Sequence, residues 1–438
     1  MPSDESRLTR VFRALRHRNY RLFFGGQTVS LIGSWMQRIA MSWLVYRLTG
    51  SALMLGMVGF ASQIPVFLLA PLGGVLGDRW NRHRMLVITQ TLAMLQAAVL
   101  AVLTITGVVE VWHIIVLSVF LGVVNACDVP VRQAFVVEMI EDRRDLGNAI
   151  ALNSSMVNGA RLLGPTIAGV LIAVVGEGVC FLLNAASYLA VIWALLAMRT
   201  RRVDRSNGAG HVLQRLREGF SYAFGFAPTR YVILLLALVS LMGMPYQVLM
   251  PVVAREVLHG GPRTLGFLVG AAGAGALVGA AYLASRRGVL GVGRMIPLAA
   301  GIFGVGLIGL SSCHVLAFAM LLMPVIGFGM MAQTASSNTA LQTIVDDDKR
   351  SRVMAFYTMA FMGMTPFGSL LSGLLASRIG VARTLFLGGA CCVLGGLAFA
   401  AKLPVLREMA HPLFAAKQVI QEMPATNAAT GLTRPPDM

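Results

Sequence analysis

Four charged residues stand in stretches that are otherwise apolar enough to lie in a bilayer: Arg38, Asp128, Arg132 and Arg161. Charge in hydrocarbon is costly, so such groups mark ion or substrate pathways by default. Asp128 is the one carboxylate that falls inside a predicted span, so a transported proton has few other places to load. Arg132 lies one helical turn further along the same face. Arg161, on the next span, stands about 20 Å above its helix start, and Asp128 about 12 Å above the same surface, at 1.5 Å rise per residue. An arginine side chain bridges much of that gap. The expected chemistry is an exchange: Asp128 pairs with Arg161 or Arg132 in one state, and changes partner or takes a proton in the other. The competing reading is a static pair that only neutralises two charges, since a permanent guanidinium partner opposes protonation.

Uncharged hydrogen-bonding groups occupy other spans. Gln27, Gln37 and Arg38 share the first, Asn158 the fifth, Tyr246 and Gln247 the seventh, and Gln333 and Asn338 the tenth. All are candidates to line a substrate cavity. Arg38 and Arg161 without a second intramembrane acid bias that cavity positive, which suits an anionic or catechol-type compound. Arg38 has an alternative place at the outer interface, anchored among Trp35 and Trp43. No P-loop, zinc-ligand spacing or nucleophile elbow occurs. The five cysteines lie in or at the ends of apolar runs without metal spacing. Neither a metal nor another cofactor is expected. A membrane-embedded enzyme fares poorly, because Asp128 has no His, Ser or metal partner at matching depth.

The elements that must position these residues follow from composition. The 438 residues are 56% hydrophobic and 13% charged, with a mean hydropathy of +0.73, far too apolar for a soluble chain. A span needs about 20 apolar residues, and twelve are predicted, near 21–46, 53–77, 85–106, 113–136, 148–175, 179–198, 229–252, 264–285, 295–312, 315–341, 353–377 and 383–401. Backbone groups in lipid must be satisfied within the segment, so each is a helix. Residues 1–20 hold Arg7, Arg10, Arg13, Arg16 and Arg18 and no apolar run, the pattern of a cytoplasmic leader and not of a signal peptide. The longest interruption, 199–228, reads as a cytoplasmic linker with an interfacial amphipathic helix. It divides the chain into six-helix bundles at 21–198 and 229–401. Residues 402–438 read as a cytoplasmic tail, disordered toward the end. The net charge of +17 concentrates in alternate connections, which is what orients helices with both termini inside. It needs no nucleic acid partner.

An internal repeat supports the division. Shifted by 204 residues without a gap, Ile140 falls on Ile344, Asp142 on Asp346, Ala151 on Ala355, Gly159 on Gly363, Gly164 on Gly368, Gly169 on Gly373, Leu171 on Leu375 and Gly176 on Gly380.

Two motifs and their surroundings carry a family resemblance. Between spans two and three runs Gly74-Val-Leu-Gly-Asp78-Arg79-Trp80-Asn81-Arg82-His83-Arg84, and in span five Asn158-Gly159-Ala-Arg161-Leu-Leu-Gly164-Pro165-Thr-Ile-Ala-Gly169. They resemble the signature loop and the antiporter Gly-Pro helix of the major facilitator superfamily. Gly33-Ser-Trp35-Met-Gln37-Arg38, Tyr46-Arg-Leu-Thr49-Gly50-Ser51, Asp128-Val-Pro130-Val-Arg132 and Asp145-Leu-Gly-Asn148 are similar to the branch containing the bacterial enterobactin exporter and related efflux proteins. The resemblance implies two pseudo-symmetric bundles of six transmembrane helices. It makes Gly74, Asp78, Arg79, Arg82 and Arg84 a conformational clamp, with Asp78 pairing Arg79 or Arg132 or facing the helix start at Ser351. Gly159, Gly164, Pro165 and Gly169 become a helix-bending and close-packing motif. Asn81 replaces the usual loop glycine, which a left-handed turn tolerates. In the second half Arg82 is matched by Arg286, but Tyr282 stands where Asp78 has its acid, so the second clamp is eroded.

The expected protein is thus an all-α secondary transporter of a bacterial inner membrane, exporting a small amphiphilic compound (drug, siderophore or metabolite) against inward proton flow by alternating access. Its expected partners are the lipid bilayer, a small-molecule substrate and protons, and it is expected to act as a monomer. The alternatives are an importer, a lysophospholipid flippase on the same fold, or a non-transporting membrane sensor.

Overall fold

A computed structural model describes residues 12–199, 224–285 and 292–422. All regular structure in it is helical. The twelve long helices are α1 (Arg18–Thr49), α2 (Ala52–Arg79), α3 (Arg82–Ile105), α4 (Val111–Glu138), α5 (Leu146–Val175), α6 (Glu177–Leu196), α7 (Ala227–Val257), α8 (Pro262–Ser285), α9 (Val292–Ser311), α10 (Leu316–Ile344), α11 (Asp347–Thr358, continued through Met359–Gly363 and Met364–Ile379) and α12 (Val381–Glu422). Eleven are long and apolar enough to cross a membrane. The exception is α1, which has the length but carries Gln27, Gln37 and Arg38 along its middle. The polarity that makes it fail a hydropathy test is the polarity that makes it interesting. Large apolar side chains left exposed, such as Val102, Leu189, Trp193, Val305, Leu321 and Leu397, form the surface that lipid covers.

Helix ends differ from the expected spans by a few residues, with one substantive exception. The last helix does not stop at 401 but continues through Glu422. The expected amphipathic helix of the linker and the end of the tail lie in 200–223 and 423–438, outside the described residues, as do residues 1–11 of the leader. What is described of the leader is a 3-10 turn, Arg13–Arg16, lying beside the start of α5.

Two helices have π-helical turns: Val239–Gly243 and Val253–Val257 in α7, and Met359–Gly363 in α11. All lie in the second bundle. Such bulges locally loosen the backbone ladder and concentrate at functional positions.

The repeated glycines do the same work in both bundles. Gly176 and Gly380 close α5 and α11 at φ +83° and +86°, a region a side chain rarely enters. Gly169 on α5 backs onto Gly266 of α8, where a Cβ would fall 2.8 Å from the facing Cα; Gly373 on α11 meets Gly56 of α2 at the same 2.8 Å. The two bundles therefore touch through two symmetry-related glycine pairs, α5 with α8 and α2 with α11. Both pairs lie near the end of the molecule opposite the termini. There one apolar cluster runs through both bundles, including Trp43, Leu55, Ile172, Leu249 and Leu265. At the terminal end the first bundle keeps a separate cluster, including Tyr20, Leu86, Phe135 and Leu195. Among the described residues, packing joins the halves at the end opposite the termini, while at the terminal end the first bundle's cluster stands by itself.

Candidate functional site

Asp128 is 2% exposed in the middle of α4, two residues before Pro130. Its Oδ1 accepts from Thr89 Oγ1 and Gln90 Nε2 of α3, each at 2.8 Å. Its Oδ2 lies 3.3 Å from Arg132 Nη2. Each of these three side chains can donate to the carboxyl group. Of the two arginines expected to compete for this acid, Arg132 has it and Arg161 does not. Because Arg132 is one turn away on the same helix, it can leave or return by side-chain rotation alone.

Arg161 turns instead to α1. Its guanidinium carbon lies 5.1 Å from the centre of the Trp35 ring, and that of Arg38 lies 4.5 Å from the same centre. Two cations share one indole, close enough to repel each other. Gly164 explains how they meet. A Cβ there would fall 2.5 Å from Trp35 Cβ and 2.9 Å from Ile32 O, so the glycine admits the α1 backbone against α5 and seats Trp35 beneath the preceding turn, where Arg161 stands. Gly159 has nothing within 4 Å of its Cβ position. Of the motif's glycines, Gly164 and Gly169 pack against neighbours and Gly159 does not.

Arg38 is exposed although protein surrounds it, and the flanking Gln37 and Ile39 are buried. It therefore opens into the space between the bundles. It sits on Trp35, not out at the interface with Trp43. Insertion scales put the cost of an arginine at the centre of a span at about 2.5–3.5 kcal/mol. Cation–π contact offsets about 0.5–2 kcal/mol of that. Among the described residues neither arginine has an acid partner, and the Arg161 Nε is buried without a hydrogen bond.

The remaining cavity candidates divide. Gln37 is 3% exposed and sits in a relay inside the first bundle: Asn184 Nδ2 donates to its Oε1 (2.7 Å) and its Nε2 donates to Gln96 Oε1 (2.9 Å). That relay ties α6, α1 and α3 together, which corrects the expectation that Gln37 lines the cavity. Gln27 is buried at 2%. Asn158 is buried and donates to its own helix at Ser154 O, 2.9 Å. Tyr246 packs edge-on against Phe303 at 5.9 Å, with its phenol within electrostatic reach of Arg161 across the bundle boundary. Gln247, partly exposed, reaches Met330 Sδ at 3.9 Å. Gln333 is fully buried; its Nε2 donates to Ser337 Oγ at 3.3 Å and its Oε1 has no partner. Asn338 accepts from Gln342 and lies beside the Tyr357 hydroxyl.

In the α2–α3 connection, the side chains of Gly74, Asp78 and Arg79 lie outside what is described, as does that of Ser351. Arg132, one expected partner of Asp78, pairs with Asp128. Asn81 is not left-handed: at φ −68°, ψ 112° it caps α3, its side chain accepting from Arg84 N at 3.1 Å. Arg82 pairs with Glu138 at the end of α4, 2.9 Å, tying the connection to that helix.

Two clusters were not foreseen. At the terminal end Asp145, fully buried, faces Arg13 (2.9 Å), Arg16 (2.8 Å) and His17 (2.9 Å), while Asn148 accepts from Ala14 N. The Asp145-Leu-Gly-Asn148 motif thus holds the leader down. Beside it Arg144 and Arg16 hold the partly exposed Asp142 carboxyl at about 2, below the usual range. At the opposite end, Arg47 pairs with Glu177 at 2.7 Å and Tyr46 donates to Glu256 across the bundle boundary. A clue was present: Glu256 follows the apolar run of α7 within a few residues.

The family model for transmembrane secretion effectors, a group of the major facilitator superfamily, matches residues 9–427. The chain belongs to this family. It is 27% identical over 371 residues to the staphyloferrin A transporter of Staphylococcus aureus, covering 84% of this chain and 92% of the relative. To the multidrug efflux pump Tap of Mycolicibacterium fortuitum it is 25% identical over 389 residues, 86% of this chain and 93% of the relative. The fold matches the crystal structure of a mutant of the peptide transporter POT with a TM-score of 0.70 at 12% identity, covering 90% of this chain and 95% of that one. The chain is a multi-pass membrane transporter of an efflux family, not an enzyme.

Proposed function

We propose that the protein exports a small amphiphilic compound in exchange for protons, by alternating access, across a bacterial inner membrane with both termini in the cytoplasm. With that orientation the terminal end is the cytoplasmic one, and the packing that joins the bundles at the opposite end supports an inward-open reading. The observation that carries the coupling role is the environment of Asp128: a buried carboxylate with three donors, one of them a guanidinium able to swing away. An arrangement that keeps those donors favours the ionised acid, and one that gives them up favours the protonated acid. The cycle follows from that linkage. Facing outward, Asp128 takes a proton; on return to the inward-facing form Arg132 pairs with it again and the proton leaves inside. Substrate then loads among Arg38, Tyr246 and Gln247. Gly74, Asp78, Arg79, Arg82 and Arg84 act as the clamp at the cytoplasmic end, and Gly164, Pro165 and Gly169 let α5 bend and pack while the bundles rock. Support for a small-molecule substrate comes from relatives named for a siderophore and for drugs.

The test is proton movement into proteoliposomes carrying the purified protein, read by a pH-sensitive dye across a panel of drugs and catecholate siderophores. The expected result is substrate-triggered flux in the wild type and none in Asp128→Asn. Flux that survives the substitution would remove Asp128 from the coupling role.

A further inference from the structure

We propose that Arg38 and Arg161, mounted on Trp35, form a binding site for a small organic anion bearing carboxylates, with a molecule carrying two or more bound better than one carrying a single group. The proposal rests on the export reading and names the class of compound exported.

Three observations converge. Both guanidiniums lie over one indole, at 4.5 and 5.1 Å from its centre, and a guanidinium stacked on a ring keeps its N–H donors in its own plane, free to meet a carboxylate edge-on and bidentately. Neither has an acid to satisfy it among the described residues: Asp128 is engaged by Arg132, Glu177 by Arg47, and Glu256 by Tyr46. The Arg161 Nε is shut from solvent with no partner. Finally, the two cations repel each other, a cost the bound anion relieves.

The site is also built to stay in place. Trp35 is 9% exposed, its Cβ seated in the notch at Gly164, so the pair is held on two packed helices and not on a loop. Arg38 opens into the space between the bundles, and Tyr246 of the second bundle reaches the field of Arg161. A carboxylate held there has the first bundle's charge on one side and the second bundle's hydroxyl on the other. That is where alternating access requires a substrate to sit.

The experiment is thermal unfolding of the purified full-length protein at fixed ionic strength and pH, with benzoate, isophthalate and trimesate, their matched amides, and a lysophosphatidic acid. The expected result is stabilisation by the carboxylates in the order of their charge, and none by the amides. Arg38→Gln and Arg161→Gln should each weaken the apparent affinity for isophthalate by about 10-fold or more, the scale of one lost charge-assisted contact. Arg38→Lys keeps the charge and should retain part of the shift, so a fold lost in the glutamine variants does not close the question. Equal stabilisation by acids and amides, no stabilisation by any carboxylate, stabilisation by lysophosphatidic acid alone, or glutamine variants with undiminished response would each overturn the proposal.

Discussion

The two bundles share a scaffold and divide the labour. In the first, polar groups run through the interior: Asp128 with Thr89, Gln90 and Arg132; the relay Asn184, Gln37, Gln96; and the two arginines on Trp35. In the second, the charges on the described helices lie toward or beyond the ends of the apolar runs, and the buried Gln333 does not even satisfy its carbonyl. What the second bundle has instead is three π-helical turns. Contact between them includes two glycine pairs, in which the repeat relates Gly169 to Gly373. Chemistry is concentrated in one half and backbone compliance in the other, so substitutions of the same type should have opposite consequences on the two sides.

The largest contrast is expected within one motif. Gly164→Leu pushes directly on Trp35 and the α1 backbone, a clash that small rotamer changes cannot absorb. It should cost at least a tenfold loss of transport together with a lowered Tm. Gly159→Leu, with open space at its Cβ, should leave both near wild type. Equal damage from the two would mean that the motif acts by helix flexibility and not by seating Trp35.

Buried glutamines give the next contrast. Gln37→Leu strands Asn184 Nδ2 and Gln96 Oε1 in the first bundle and should destabilise the protein by about 2–3 kcal/mol. Gln333→Leu removes an unpaired acceptor and should be neutral or stabilising by about 1 kcal/mol. Chemical unfolding in detergent reads both; if Gln333→Leu is the more damaging, the second bundle holds polar structure that this account lacks.

A smaller effect is expected at the boundary. Tyr46→Phe removes the donor to Glu256 and should shift the opening equilibrium of that end about fivefold, the scale of one part-buried hydrogen bond, read by the labelling rate of a cysteine placed at Ser51. The smallest concerns the leader. Asp142 titrates at about 2 in the fold against an ordinary value of 3.8. Its depressed value means its contribution is fully present above about pH 4 and is lost as pH falls through about 2. Titration of Asp142 should therefore add no pH dependence to protease protection of the leader between about pH 5 and 8.

Much of this was legible in the sequence because bilayers simplify it. Apolar length located the spans, charge marked Asp128, Arg132, Arg38 and Arg161, and the 204-residue offset picked out glycines that turn out to work in equivalent places. What stayed hidden was partnership. Asp128 and Arg132 are four residues apart, and their pairing follows from helical geometry. Trp35 and Arg161 are brought together by a glycine notch that no local pattern encodes. Gln37 looked like a cavity residue because hydropathy says that a polar group is buried, not which side of the helix it faces. The π-helical turns have no composition signal. Glu256 was passed over because it lies a few residues beyond the apolar run that marked its span.

The central claim is that protonation of Asp128 and the opening of the far end are one equilibrium. It is tested most directly by electron–electron distance measurements between spin labels at Ser51 and Ala382, on the first and second bundles at the end opposite the termini, in a background lacking the five native cysteines. The account predicts that the wild-type distance lengthens as pH falls, because acid disfavours the arrangement in which Arg132, Thr89 and Gln90 hold the carboxylate. Asp128→Asn should show the longer distance at every pH. An Asp128→Asn protein that keeps the wild-type pH response would contradict it.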